Sequence, residues 1–181
     1  MGKKIIKIIS IKEFSENISL FFFSKKGMIK KTLLSELEGL YSSTIVYKLK
    51  GENDGLVNVV QYFNNNNDNK DIVLLTKKAM CIRFDNLSIN LMGRVASGVT
   101  GISLKEDDEV IFGDLISSES LNKEENDESA VSKIDKGDLT LVTNDKNKKV
   151  LAIADIKVQN RAGRGSNVMM VAIDEYVLTV K

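Results

Sequence analysis

Thr76-Lys77-Lys78-Ala79-Met80-Cys81-Ile82-Arg83-Phe84, continued by Met92-Gly93-Arg94-Val95-Ala96-Ser97-Gly98-Val99, is the stretch from which the fold of this chain can be read. Its head is repeated upstream, at an offset of 52, by Ser24-Lys25-Lys26-Gly27-Met28. A third copy, headed by Val142-Thr143, keeps a constant offset of 67 through Arg94/Arg161, Gly98/Gly165 and Asp107/Asp174. Copies of one small unit along a chain share a core, so the fold is decided at the level of that unit.

In the middle copy, Ile72-Val73-Leu74-Leu75-Thr76 is a short apolar, β-rich run. Lys77-Lys78-Ala79 reads as a turn, and Met80 to Phe84 as a second strand. A loop then reaches the glycine-bearing segment around Gly93 and Gly98. Gly101 to Lys105 alternates with period two, Glu106-Asp107-Asp108 turns, and Glu109 to Phe112 closes the unit. Short runs broken by Gly, Asn and Asp predict a four-stranded antiparallel unit. The first copy has the same order, with Leu20 to Phe23, Met28 to Lys31, Val46 to Lys50 and Leu56 to Val60. The third runs through Leu139–Val142, Lys148–Ile153, Arg161–Ser166, Val168–Ala172 and Tyr176–Val180. The first offset matches a propeller-type blade of about 40–50 residues. Helical periodicity is weak outside Ile11–Ile18 and Thr32–Glu38. The expectation is one all-β domain of about three to four antiparallel blades, with units near 17–60, 70–113 and 137–181 and a leading strand at 3–10 completing a further or shared blade.

With 181 residues and 43% apolar content the chain can bury a sizeable core. No apolar run approaches membrane-spanning length and no signal peptide is visible, so no membrane partner is expected. One cysteine, Cys81, excludes an internal disulfide framework and suits a reducing compartment; in a strand it reads as a packing residue. Without histidine the chain lacks the residues for a zinc finger or a His-assisted nucleophile. No Walker-type loop is present, and Glu106, Asp107, Asp108, Asp174 and Glu175 read as turn residues. Neither a catalytic centre nor a cofactor is expected.

Net charge is +1, but it is segregated. From Asp114 to Asp138 eight acids face three lysines, giving −5 and leaving +6 for the remainder. That insert reads as a mobile acidic connector, whether a plain spacer or a cover for basic surface. The cations recur at equivalent places: Lys25, Lys26, Lys77 and Lys78 in the first turn; Lys30, Lys31, Arg83, Lys148 and Lys149 on or beside the second strand; Arg94, Arg161 and Arg164 in the glycine loop. Side-by-side units align such positions into a stripe that matches a phosphate backbone. Solvation of exposed strand edges is the competing reading.

Leu74–Phe84 and Met92–Val110 resemble a blade of the C-terminal domain of the type IIA topoisomerase A subunit, found in gyrase and topoisomerase IV, and Phe23–Leu37 is similar to the same unit. The likeness spans about residues 17 to 181 and implies a β-pinwheel whose blades exchange strands, with duplex DNA bent around a basic outer edge. Gln159-Asn160-Arg161-Ala162-Gly163-Arg164-Gly165 is similar to the DNA-wrapping box of gyrase, with Asn160, Ala162 and Arg164 departing from it. Arg94–Gly98 looks like a degenerate version, and Leu40–Thr44 has lost the arginine; its Tyr41-Ser42 pair looks more like topoisomerase IV of Gram-positive bacteria. The partners that the resemblance implies are sequence-nonspecific double-stranded DNA, the remaining domains of the parent polypeptide and the ATPase B subunit, in the cytoplasm at the nucleoid. It implies no catalysis by this chain, so Tyr41, Tyr47, Tyr62 and Tyr176 are expected to pack. The alternative from another class is a propeller-like protein-interaction module that binds no nucleic acid.

Overall fold

The computed structural model describes residues 5–39, 43–64, 70–117 and 138–181. The first unit carries β1 (Ile18–Ser24), β2 (Met28–Leu33) and β3 (Leu56–Phe63). The second carries β4 (Lys70–Thr76), β5 (Met80–Asp85), the two-residue β6 (Val99–Thr100) and β7 (Val110–Ser117). The third carries β8 (Asp138–Thr143), β9 (Lys148–Ala152), the two-residue β10 (Ser166–Asn167) and β11 (Val177–Val180). They form antiparallel sheets in the orders β3-β1-β2-β6, β10-β5-β4-β7 and β11-β8-β9.

Each hairpin that opens a unit is fixed by local chemistry. Gly27, Ala79 and Lys146 occupy one turn position with φ of 73°, 59° and 68°. The hydroxyls of Ser24, Thr76 and Thr143 accept the amides of Met28, Met80 and Asn147 at 3.4, 3.1 and 3.2 Å. Such hydroxyl turns hold the chain in a left-handed conformation that L side chains otherwise avoid. A carboxylate from the end of each unit braces the same turn. Asp54 and Asp108 accept the amides of Lys26 and Lys78, both at 3.0 Å, while Glu175 accepts the Thr143 hydroxyl at 2.6 Å. Asp54 and Asp108 are buried; Asp108, expected from sequence to be a solvated turn residue, is a structural strut, and Asp54 is its counterpart in the first unit.

The fourth strand of a sheet comes from the following unit. Val99 and Thr100 pair with Ile29 and Met28, and Ser166 and Asn167 pair with Cys81 and Met80 in the same register. More backbone bonds lock each junction: Met92 N–H to Lys31 C=O, Gly101 to Gly27 and Val110 to Lys25; then Gln159 to Arg83, Val168 to Ala79 and Val177 to Lys77. The Gly101–Lys105 strand expected from its alternation does not form, because the amides of Gly101 and Ser103 serve Gly27 and Gly163 instead.

Cores lie between sheets. Phe21 and Phe23 of β1 share a cluster with Ile72 and Leu74 of β4, and Val73 and Leu75 of β4 share another with Leu139 and Leu141 of β8. Strands packed on both faces read as unbroken apolar runs, hence Phe21-Phe22-Phe23 and Ile72-Val73-Leu74-Leu75. Full burial of each such side chain contributes about 1.5–3 kcal/mol. β8 differs, for Leu139 and Leu141 are buried while Thr140 and Val142 are only half-buried. The positions held by Phe21, Phe23 and Ile29, then by Val73, Leu75 and Cys81, become Thr140, Val142 and exposed Lys148 in the third sheet. That outer face is made for water.

Three further expectations are corrected. Residues 5–14 form no strand: Ile9 packs against the cluster that includes Leu20 and Phe22, while Ile5 and Ile8 stay exposed. The third sheet has three strands, since among the described residues no following segment pairs with β9. The acidic insert is shorter than its composition indicated, because β7 runs to Ser117 and β8 begins at Asp138; residues 118–137 lie outside the described residues.

Gly98 and Gly165 have φ of 85° and 73°, and a Cβ on Gly165 would stand 2.5 Å from the Cys81 carbonyl oxygen. Gly165→Ala should destabilise the chain by about 2–4 kcal/mol through clash and strain. Denaturant melts measure the loss. Thiol titration should find Cys81, fully buried in the parent, reactive in the variant.

Candidate nucleic-acid interface

The cations singled out by the sequence separate by environment. Lys30 has no exposed surface. Its ammonium donates to the carbonyls of Val46 (2.7 Å) and Arg94 and lies 5.3 Å from the Phe22 ring centroid. Desolvation lowers its pKa to about 8, against the opposing pull of Glu36 and with the charge of Arg94 adding to the fall. Arg83 is buried as well; its Nε donates to Asp71 at 2.6 Å, and Nη1 reaches the carbonyls of Ile153 and Ile156 at 3.4 and 3.3 Å. Both side chains staple one unit to segments beyond it. Neither presents its charge to an external anion, because doing so would abandon buried carbonyls.

Lys31 is half-buried, its ammonium 5.4 Å from the Phe21 ring centroid and 5.3 Å from that of Tyr62, and burial lowers its pKa. Lys148 and Lys149 are exposed on β9, at the edge that accepts no strand among the described residues. Lysines there also discourage edge-to-edge pairing.

The first turns of consecutive units meet at one border. Lys25 Nζ lies 3.2 Å from Glu109 Oε2, and Lys77 Nζ lies 4.0 Å from Oε1 of the same carboxylate. Lys77 also sits 4.4 Å from the Tyr176 ring centroid. Lys26 and Lys78 are exposed beside them, and Lys78 Nζ reaches the Glu106 carbonyl at 3.2 Å. The glycine loops supply the arginines. Arg161 is half-buried, its Nη1 donating to the Thr100 carbonyl at 2.6 Å, which ties the third unit's loop to β6. Arg164 is exposed and lines a small recess with Thr76, Met80 and Lys105, next to the second unit's first turn. Arg94 is half-buried.

Lys26, Lys50 and Lys105 line an open cleft of about 570 Å³ between the first and second units. Lys50, Lys105 and Glu109 were not identified from sequence. Only the offset between Lys25 and Glu109 could have signalled a junction residue, and pairing across 84 positions carries no local pattern. Tyr47 stacks on Phe22 at 5.8 Å, Tyr62 meets Phe21 edge-on and Tyr176 lies under Lys77, so these three tyrosines pack. Tyr41 and Ser42 lie outside the described residues.

Strand-exchanged antiparallel sheets bordered by lysine turns and arginine-glycine loops define a propeller-like array of the pinwheel class. A sequence model described as the DNA gyrase C-terminal domain, beta-propeller, matches residues 19–61, 70–117 and 148–181, more than half of the chain, and the chain belongs to that family. Its segments are similar to the A subunit of DNA topoisomerase 4 from Bacillus subtilis, at 40% identity over 62% of this chain and 14% of that protein. They are also similar to the A subunit of DNA gyrase from Campylobacter jejuni, at 29% identity over 90% of this chain and 21% of that protein. The chain therefore spans a minor part of the length of these relatives. A crystal structure of the C-terminal domain of DNA topoisomerase IV superposes with a TM-score of 0.78 at 24% identity, covering 97% of this chain and 49% of that one. The E. coli ParC C-terminal domain gives 0.54 at 12% identity, covering 91% and 56%. Both structural likenesses bear on the fold alone.

The titration of Lys30 gives a signed prediction. Its folded pKa of about 8 lies below the ordinary 10.5, so above pH 8 the unfolded chain holds a proton that the folded chain has shed. Through this group stability should rise with pH between about 8 and 9.5, while Cys81, its buried thiol pushed up to about 12, contributes a fall and Lys31 a further rise, so the Lys30 share is read as the difference between parent and variant. Urea melts across that window should lose this rise in Lys30→Met. Removing Arg83 should instead cost about 3–5 kcal/mol, because it strands Asp71 in a buried site; Arg83→Met followed by denaturation measures it.

Proposed function

We infer that this chain is a DNA-binding accessory domain of a type IIA topoisomerase A subunit, holding and bending duplex DNA along its lysine-bearing border. The convergence of Lys25 and Lys77 on one carboxylate is the observation that carries this reading, for it brings the first turns of successive units to a common edge. Membership of the family supports it. Lys26, Lys78 and Arg164 extend the border with exposed charge, and Lys148 and Lys149 are exposed on β9, just past the third unit's first turn. Lys25, Lys77, Lys31, Arg94 and Arg161 contribute charge that the protein already partly neutralises or orients. Lys30 and Arg83 are left out of the interface because their donors serve internal carbonyls.

Lysines and arginines on turns and glycine loops suit phosphates rather than base edges, so binding follows backbone charge and DNA deformability, not sequence. Each phosphate neutralised releases condensed counterions. The reaction belongs to the complete enzyme. Strand breakage, the ATP-driven change of topology and the B subunit lie with the parent assembly, in the cytoplasm at the nucleoid, and this domain supplies the hold on the segment.

Titrating a labelled duplex by fluorescence anisotropy at several salt concentrations tests the reading. Affinity should fall steeply with salt, by about 0.9 log unit per log unit for each phosphate engaged. Arg164→Glu should weaken binding to two unrelated sequences alike and flatten the slope by about 1. Salt-insensitive affinity, or no binding, would remove the DNA reading and leave the protein-interaction module in its place.

A further inference from the structure

Glu109 occupies a repeat position filled by Gly55 in the first unit and Tyr176 in the third. Each of these residues serves a first turn through its main chain: the carbonyls of Gly55, Glu109 and Tyr176 accept the amides of Lys25, Lys77 and Asn144. Only in the second unit does the position carry a charge. The amide of Val110, next in sequence, donates to the Lys25 carbonyl, so Glu109 is held by backbone bonds between two successive turns. Its two carboxylate oxygens then divide, Oε2 to Lys25 and Oε1 to Lys77. All three side chains are partly withdrawn from water, with exposures of 34%, 46% and 37%. The backbone bonds fix where the three side chains start, but their rotamers must still be ordered, so each pair contributes modestly to stability while its charge is offset locally.

We propose that Glu109 is a built-in counter-charge of the DNA-binding border: a carboxylate standing in for a phosphate between the lysines of adjacent units, which phosphates must displace. This rests on the DNA reading and deepens it by naming a residue that sets binding strength. With Glu109 in place, Lys25 and Lys77 reach DNA already partly neutralised, and they release fewer counterions than their number implies. Tyr176 holds Lys77 from the other side without neutralising it, since a ring face orients an ammonium but carries no net charge. The carboxylate thus keeps the grip on DNA moderate and salt-tolerant, as suits a segment that must be released.

The experiment is a double-mutant cycle on the full chain, using a labelled duplex and salt from about 50 to 200 mM. Glu109→Gln keeps the backbone bonds and removes the charge. It should tighten binding about three- to tenfold and steepen the log–log salt slope by about 1 to 2, as two lysines become available to phosphates. Lys25→Gln should weaken binding in the parent and do so more strongly in the Glu109→Gln background, so the effects should not add. Thermal melts confirm that each variant is folded, and Tyr176→Leu, which alters no charge, should leave the slope alone. If the parent binds with a steep salt dependence while Glu109→Gln leaves affinity and slope unchanged, the counter-charge is refuted and the DNA reading stands. Weaker binding by Glu109→Gln likewise refutes it, since it would make Glu109 a support for the lysines. If no variant binds DNA in a salt-dependent way, the DNA reading itself fails.

Discussion

A sheet in this protein is finished by a strand it does not own. That loan requires a backbone able to pass directly over a neighbour's carbonyl, and Gly98 and Gly165, both at positive φ, meet the requirement. From it follow the shared register of β6 on β2 and β10 on β5, the repeated backbone bonds of the junctions and the placement of the cores between sheets. Units joined this way cannot unfold one at a time without exposing a neighbour's apolar face. Cooperative behaviour across junctions is the physical consequence.

The same residue type does opposite work according to its surroundings. Lys30 and Arg83 point inward and hold carbonyls of segments that cross from another part of the chain, and desolvation leaves the ammonium of Lys30 easier to deprotonate. Lys26, Lys78 and Arg164 lie outside and keep their charge in water. Between these extremes stand exposed Lys25 and half-buried Lys77, both already matched by Glu109. The border is therefore graded rather than uniformly basic, and the net charge of only +1 reflects the −5 of residues 114–138 set against +6 elsewhere.

The architecture suits recognition of a polyanion by shape. Its cations sit on turns whose geometry is fixed by hydroxyl and carboxylate caps, so they are spaced by the pitch of the units rather than by loop mobility. On the proposed DNA-binding reading, such spacing suits phosphates along a duplex rather than base edges. The third sheet, with half-buried Thr140 and exposed Lys148, shows how a repeat can keep its fold while changing what one of its faces meets.

Much of this could be read from residues alone. The offsets of 52 and 67, the unbroken apolar runs of β1 and β4 and the lysine turns pointed to the all-β units, because strand periodicity and turn chemistry are local properties. The family likeness was carried by the same local segments. Locality also set the limit. That the glycine segments pair with the preceding unit, that residues 5–14 form no strand, and that Lys30 and Arg83 face inward depend on contacts far apart in the chain, which no window of sequence contains. The pairing of Lys25 with Glu109 is the clearest case: composition counts both charges, but only the packed junction of two units decides that they neutralise each other.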